Sequence, residues 1–213
     1  MSATEPTVYL VDDDAAVCRS LARLLKAVGY RAQTFGSPDA FLRGYRDEGP
    51  ACLVLDMHLP GMTGLELQRT LAAAERSLPI VFITGHGDVP TSVQAMKGGA
   101  VDFLPKPFRD EDLLKAVRQA LDRSRQQHAM WLELDAFRKR MDGLTQREHQ
   151  VLVGVVNGKL NKQIAAELGT SEKTVKVHRG RVMEKMQVSS VADLVRAVEK
   201  LRAPATGAPN LSS

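Results

Sequence analysis

Cysteine, long apolar runs and a basic leader are what this 213-residue chain has least of. Its two cysteines, Cys18 and Cys52, stand far apart and form no CxxC pair. That excludes a redox or metal motif of that spacing and leaves two reduced core thiols of a cytosolic protein as the expectation. No apolar run approaches the roughly 18 residues that a membrane span needs, so no membrane partner is expected. Residues 1–8 carry neither a basic start nor a long apolar stretch, so no signal peptide is expected and the location implied is cytoplasmic. There is no internal repeat. Glycine and proline are missing from Asp110 through Met141, so nothing there interrupts a helix.

What is present is ordinary in amount and uneven in placement. Hydrophobic residues make up 44% and charged residues 25%, the balance of a globular chain, and the length suits two domains. The net charge of +4 is split. Residues 1–110 hold 11 Lys and Arg against 13 Asp and Glu, whereas residues 142–201 hold 10 against 7. A nucleic-acid partner, if there is one, is expected at the second half.

The first half alternates short apolar runs with helical patterns. Strand-like runs occupy Val8–Val11, Arg31–Phe35, Cys52–Leu55, Ile80–Ile83 and Val101–Leu104. Helical spacing follows the first at Val17, Leu21, Leu24, Leu25 and Val28, and the third at Leu65, Leu67 and Leu71. Ser37-Pro38 reads as a cap with proline in the first turn. Five strand–helix units with apolar strand cores predict a parallel sheet covered on both faces. In such sheets ligands bind at the carboxyl ends of the strands, and that edge carries Asp12, Asp13, Asp56, Thr84 and Lys106.

Clustered carboxylates are costly unless a cation offsets them, and hard oxygen donors suit Mg²⁺. A carboxylate can also take a phosphoryl group as a nucleophile, and a divalent ion with Lys106 would neutralise the moving oxygens. Each residue alone has a plainer use. Asp12 or Asp56 can cap a helix, Lys106 can be a surface charge, Thr84 a buried hydroxyl and Phe103 part of the core. It is their joint placement at strand ends that points to a site.

From Asp110 to Met141 the apolar residues Leu114, Val117, Leu121, Met130, Leu134, Phe137 and Met141 recur every three or four positions. That predicts one long helix, or two nearly continuous ones, with a narrow stripe. Ser124 and His128 interrupt it, so a stable coiled coil is not expected. Beyond Gly143 the pattern is all helical. Thr145-Gln146-Arg147-Glu148 reads as a capping box before Val151, Leu152, Val155 and Val156. Asn161–Leu168, Gly169 and Ser171–Met186 read as helix, tight turn, helix. The last of these carries Lys173, Lys176, His178, Arg179, Arg181 and Lys185, while Val175, Val182 and Met186 can face a core. The final helix opens at Ser190 and buries Val191, Leu194, Val195, Val198 and Leu201. Gly180 is costly in mid-helix, by up to about 1 kcal/mol against alanine, and suggests close approach to something.

Val11-Asp12-Asp13-Asp14, Leu55-Asp56-Met57-His58-Leu59-Pro60-Gly61, Thr84 and Lys106-Pro107-Phe108 together resemble the receiver domain of two-component response regulators. Leu144-Thr145-Gln146-Arg147-Glu148, Asn161-Lys162-Gln163-Ile164-Ala165 and Thr174-Val175-Lys176-Val177-His178 resemble the LuxR-type helix-turn-helix. With Thr84-Gly85-His86-Gly87-Asp88, the whole resembles the FixJ/NarL type.

The resemblance implies a flavodoxin-like, doubly wound α/β receiver with five parallel strands in order 2-1-3-4-5. A small all-α four-helix DNA-binding domain would follow. The expected boundaries are 1–122 for the receiver and 123–141 for a helical linker continuing its last helix. The DNA-binding domain would occupy 142–202, followed by a disordered tail at 203–213. Asp56 would be the phosphoacceptor. Asp13 would bind Mg²⁺ (or Mn²⁺) directly and Asp12 mainly through water, with Asp56 and the His58 backbone carbonyl completing the set. Lys106 would hold the phosphoryl group, and Thr84 and Phe103 would form the switch.

Lys176 and Arg179 are the candidates for base edges, and Lys162, Lys173, Arg181 and Lys185 for phosphates. Thr174, Val177 and His178 complete the DNA-binding set, with a structural role equally open for His178. Gly180 departs from the large or basic residue that several relatives carry. The partners implied are a sensor histidine kinase, double-stranded promoter DNA and RNA polymerase, with a homodimer forming on phosphorylation.

Other readings fit less well. A flavodoxin needs a Ser/Thr/Gly-rich phosphate loop after the first strand, where this chain has acids. A haloacid-dehalogenase-type phosphatase needs an acid two residues after its nucleophile, where this chain has His58. A magnesium-dependent phosphatase with a protein-binding helical domain lacks a general acid for the leaving group, so no separate substrate turnover is expected. A vestigial receiver would have no need to keep the acids, the threonine and the lysine.

Overall fold

The computed structural model describes residues 5–74, 78–85 and 89–202. The expected tail at 203–213 and the His86-Gly87-Asp88 part of the resemblance lie outside them. The chain divides into two compact units, the boundary falling between Ala129 and Met130.

Among its described residues the first unit alternates strands and helices: β1 Thr7–Val11, α1 Ala15–Ala27, β2 Arg31–Phe35, α2 Pro38–Gly44, β3 Ala51–Asp56, α3 Gly64–Ala73, β4 Ile80–Thr84, α4 Val89–Lys97 and β5 Asp102–Pro105. The strands form one parallel sheet in the order β2-β1-β3-β4-β5, as the resemblance implied. β5 begins one residue later than the apolar pattern suggested, at Asp102.

Alternate residues of each strand feed two different cores. Tyr9, Val11, Leu53, Leu55 and Phe82 pack with Phe41, Leu67 and Leu71 on one face. Val8, Leu10, Val54, Val81 and Ile83 pack with Leu21, Leu25, Leu113, Val117 and Leu121 on the other. Burial on both faces explains why β3 and β4 read as unbroken apolar runs. Cys18 and Cys52 are buried and free.

Helix α5 runs from Asp110 to Asp142 without a break. Ser124, which interrupts its apolar stripe, is buried, and its hydroxyl accepts a hydrogen bond from Ala51 N–H at 2.9 Å. That gives the backbone donor at the start of β3 a side-chain partner from α5. Met130, Trp131 and Leu132 are largely exposed.

The second unit holds the end of α5, then α6 Gln146–Val156, α7 Asn161–Leu168, α8 Glu172–Met186 and α9 Val191–Arg202. Thr145 and Glu148 close the expected capping box at α6. Gly169 ends α7 in the left-handed conformation, at φ 62°, where a side chain would be strained, and so makes the tight turn into α8. Phe137, Val151, Leu152, Ile164, Val175, Val182, Met186, Leu194 and Val198 form its core.

Candidate functional site

The carboxyl edge of the sheet gathers the residues that the sequence places at strand ends. Asp56 is the last residue of β3, Thr84 of β4, and Asp12 follows β1 directly. Asp12, Asp56 and Thr84 are buried, whereas Asp13 is exposed. Their positions follow from register: Val11 pairs with Leu55 and Asp56 with Ile83, so three chain exits lie side by side.

The two buried carboxylates are held alike. Lys106 Nζ donates to Asp12 Oδ2 at 2.7 Å and to Asp56 Oδ2 at 2.6 Å. The other oxygen of each accepts a backbone N–H two residues downstream, from Asp14 to Asp12 Oδ1 and from His58 to Asp56 Oδ1, both at 2.9 Å. Lys106 is itself fixed by its backbone N–H, which donates to Thr84 O at 2.6 Å.

Burial pushes the Asp12 carboxyl above its ordinary range, and the hydrogen bonds from Lys106 and Asp14 only partly offset it. Burial pulls the Lys106 ammonium down, but its bonds to Asp12 and Asp56 outweigh this, so it stays protonated to a higher pH than a free lysine.

Asp12, Asp13 and Asp56 each offer a carboxylate oxygen within 4.8 Å of the others. Three acids against one ammonium leave uncompensated negative charge, and all the donors are hard oxygens. This arrangement fits a divalent cation such as Mg²⁺.

The loop that carries the site is packed tightly. A side chain on Gly64 would put Cβ 2.7 Å from Asp56 O and 2.9 Å from the Phe82 ring, so α3 can start there only as glycine. Gly64 N–H donates to Met57 O at 3.0 Å and closes the loop. Thr84 Oγ1 lies 3.3 Å from His58 Nδ1, a contact that sequence reasoning missed because it considered only the His58 carbonyl. Phe103 is half-buried on β5 opposite Phe82 and packs on the core that Phe82 shares with α3.

Helix α8 in the second unit presents a defined face. At about 100° per residue, Val175, Val182 and Met186 point to the core, and all three are buried. The opposite stripe is Lys173, Val177, Gly180 and Glu184, with Lys176 and Arg181 beside it, and all six are exposed. Lys162, on α7, is exposed, while Thr174, His178 and Arg179 are half-buried. Arg179 Nη1 donates to Asn161 Oδ1 at 3.1 Å, which ties α8 to the start of α7. His178 Nδ1 is buried and, among the described residues, has no hydrogen-bond partner.

Lys185 lies 2.6 Å from the buried carboxylate of Glu148, to which it donates. Its hydrogen bond, together with one from Thr145 N–H, holds the Glu148 carboxyl down at about 2. The sequence marks Glu148 only as part of a capping box. Nothing local points to a lysine 37 positions on.

Comparisons with known proteins agree in both halves. The family model for the response regulator receiver domain matches residues 8–118, and that for the bacterial regulatory proteins of the luxR family matches residues 142–198. The chain is 48% identical over 202 residues to response regulator protein TmoT of Ectopseudomonas mendocina, covering 95% of this chain and 92% of that one. It is 46% identical over 189 residues to transcriptional regulatory protein FixJ of Azorhizobium caulinodans, covering 89% and 90%. The solved structure of the response regulator StyR is similar with a TM-score of 0.79 and 48% identity, over 92% of this chain and 100% of that one.

Proposed function

Since the chain belongs to the two-component response regulators of the FixJ/NarL type, which regulate transcription by joining a receiver to a LuxR-type DNA-binding domain, we propose that Asp56 is its phosphoacceptor and that phosphorylation switches dimerisation and promoter binding. One observation carries this reading. Asp56 ends β3 with one oxygen on Lys106, the other on the His58 amide, and two further carboxylates within metal-ligating reach.

A sensor histidine kinase is the donor. The phosphorus–nitrogen bond of its phosphohistidine breaks as an Asp56 oxygen forms the new phosphorus–oxygen bond. Asp13, Asp12, Asp56 and the His58 backbone carbonyl are the residues that would hold Mg²⁺ (or Mn²⁺), with Asp12 acting mainly through water. The ion would supply charge neutralisation at the phosphoryl oxygens. Lys106 gives up its bond to Asp56 to pair with the new group, Thr84 turns its hydroxyl towards it, and Phe103 follows inward. The chain acts on no separate substrate in this reading.

In the second half, residues 142–202 bind double-stranded promoter DNA through α8. Lys176 reads base edges from beside the exposed stripe, and Arg179 reaches DNA from its bond to Asn161. Lys162, Lys173 and Arg181 contact phosphates, with Thr174, Val177 and His178 on the same helix. Lys185 would add a phosphate contact only by leaving Glu148 in part. Residues 1–122 form the receiver and 123–141 a linker that continues its last helix. A homodimer, RNA polymerase as partner and a cytoplasmic location complete the reading. Among the described residues, no helix is long and apolar enough to cross a membrane.

Peptide mapping after incubation with acetyl phosphate and Mg²⁺ tests it. One phosphoryl group on Asp56, absent from Asp56→Asn, supports the reading. Modification elsewhere overturns it.

A further inference from the structure

Glu184 is an acid on the exposed stripe of α8, a place that neither the fold nor the phosphates of DNA explain. We propose that its carboxylate reads a base, accepting a hydrogen bond from the N4 amine of a cytosine in the major groove. This role presupposes the assignment of α8 to promoter DNA made above and adds a specificity determinant to it.

At about 100° per residue, Glu184 lies on the opposite side of the helix from the buried Val175, in line with Lys173, Val177 and Gly180. The fold gains little from it there. It stands in the last turn of α8, where the negative end of the helix dipole disfavours an acid. Among the described residues no ion pair holds it, whereas Glu148, Glu167 and Asp193 are each paired with a lysine or an arginine. Towards the DNA backbone its charge only repels. A base edge is different. A carboxylate can only accept, and two bases offer a donor in the major groove, adenine at N6 and cytosine at N4. Beside the adenine amine stands N7, a second acceptor, which repels a carboxylate. Beside the cytosine amine, on the same base, stands only a C–H. Cytosine is therefore the base that Glu184 selects.

Gly180 opens the approach. Helical side chains lean towards the N-terminus, so Glu184 covers the preceding turn, where Gly180 stands four residues earlier. An added Cβ at Gly180 would meet nothing within 4 Å, so that surface is open. The helix can settle close to the base edges there, and the Glu184 carboxylate can lie back towards the middle of the stripe. Lys176 and Arg181, exposed on its two sides, offset its repulsion of the backbone.

Selection from a random duplex pool tests the contact. The full chain is used with and without acetyl phosphate in Mg²⁺, as wild type, Glu184→Ala and Glu184→Gln, after thermal melting shows that each is folded. Wild type should enrich a site with cytosine at one position of each half, preferred by about tenfold over the other bases. Glu184→Ala should keep the rest of the site and lose that preference. Glu184→Gln should move it to adenine, because an amide can donate to N7 and accept from N6 together.

An unchanged preference, even with tighter binding of every duplex, makes Glu184 a surface charge and overturns the contact while the assignment of α8 to DNA stands. A lost preference for another base, loss at many positions at once, or no gain of adenine also overturns it. If wild type retains no duplex under either condition, the DNA-binding reading fails and the contact with it.

Discussion

Lys106 Nζ and Asp56 Oδ2 stand 2.6 Å apart, and the same ammonium reaches Asp12 at 2.7 Å. A single lysine therefore spans the two buried acids of the carboxyl edge, and both pairings are made across the sheet by residues far apart in the chain. The relationship is a resting state in waiting. The charge that steadies Asp56 is the charge that a phosphoryl group on Asp56 would claim.

Asp12 follows from the same geometry. Burial raises its carboxyl despite Lys106, so the folded receiver favours the protonated form more than the unfolded chain does. Stability contributed by this group is therefore present at low pH and declines as pH rises above the ordinary aspartate range. Asp12→Asn should then stabilise the receiver at neutral pH, by about 1 kcal/mol, or roughly 4 °C in Tm. Phosphorylation by acetyl phosphate in Mg²⁺ should fall at the same time. Calorimetry at neutral pH checks the first part, and a lowered Tm would contradict it.

Glu148 carries the opposite sign. Lys185 and Thr145 hold its carboxyl at about 2, below the ordinary value of 4.5. Its contribution is present above 4.5 and is lost as pH falls towards 2. Lys185→Met should destabilise the DNA-binding unit at neutral pH by on the order of 1–2 kcal/mol, reduced from the cost of breaking a fully buried pair because Lys185 is partly exposed. It should also flatten the acid limb of the unfolding curve. Circular dichroism melts from neutral to acid pH provide the check.

Gly180 stands in mid-helix on the exposed stripe, and an added Cβ would meet nothing within 4 Å. Among the described residues there is no steric reason for glycine there. Gly180→Ala should stabilise α8 by about 0.5–1 kcal/mol and yet weaken binding to DNA selected from a random duplex pool. Tighter or unchanged binding would show that the space is not needed by DNA.

Much of this was legible in the chain because the relevant signals are local. Unbroken apolar strands ending in Asp12, Asp56, Thr84 and Lys106 fixed the sheet edge and the acids on it. The capping box at Thr145 and the Gly169 turn located the helices of the second half. What stayed hidden depends on approach in space. The bond from Ala51 to Ser124 explains a polar residue that reads as a flaw in an apolar stripe. The tight start at Gly64 is visible only once Phe82 is beside it. Arg179 on Asn161 and Lys185 on Glu148 compete with the DNA roles that their charge alone suggests. The apolar pattern starts β5 one residue early because Val101 is apolar and precedes it.

The central claim is that modification of Asp56 drives a change of assembly. Its most direct test is mass-average size in solution, measured with Mg²⁺ and beryllofluoride or acetyl phosphate on the wild-type chain and on Asp56→Asn. The account predicts that wild type passes from monomer to dimer with the phosphoryl donor and that Asp56→Asn stays monomeric throughout. A wild-type chain that is modified at Asp56 yet keeps its size, or an Asp56→Asn chain that dimerises on adding the donor, would contradict it.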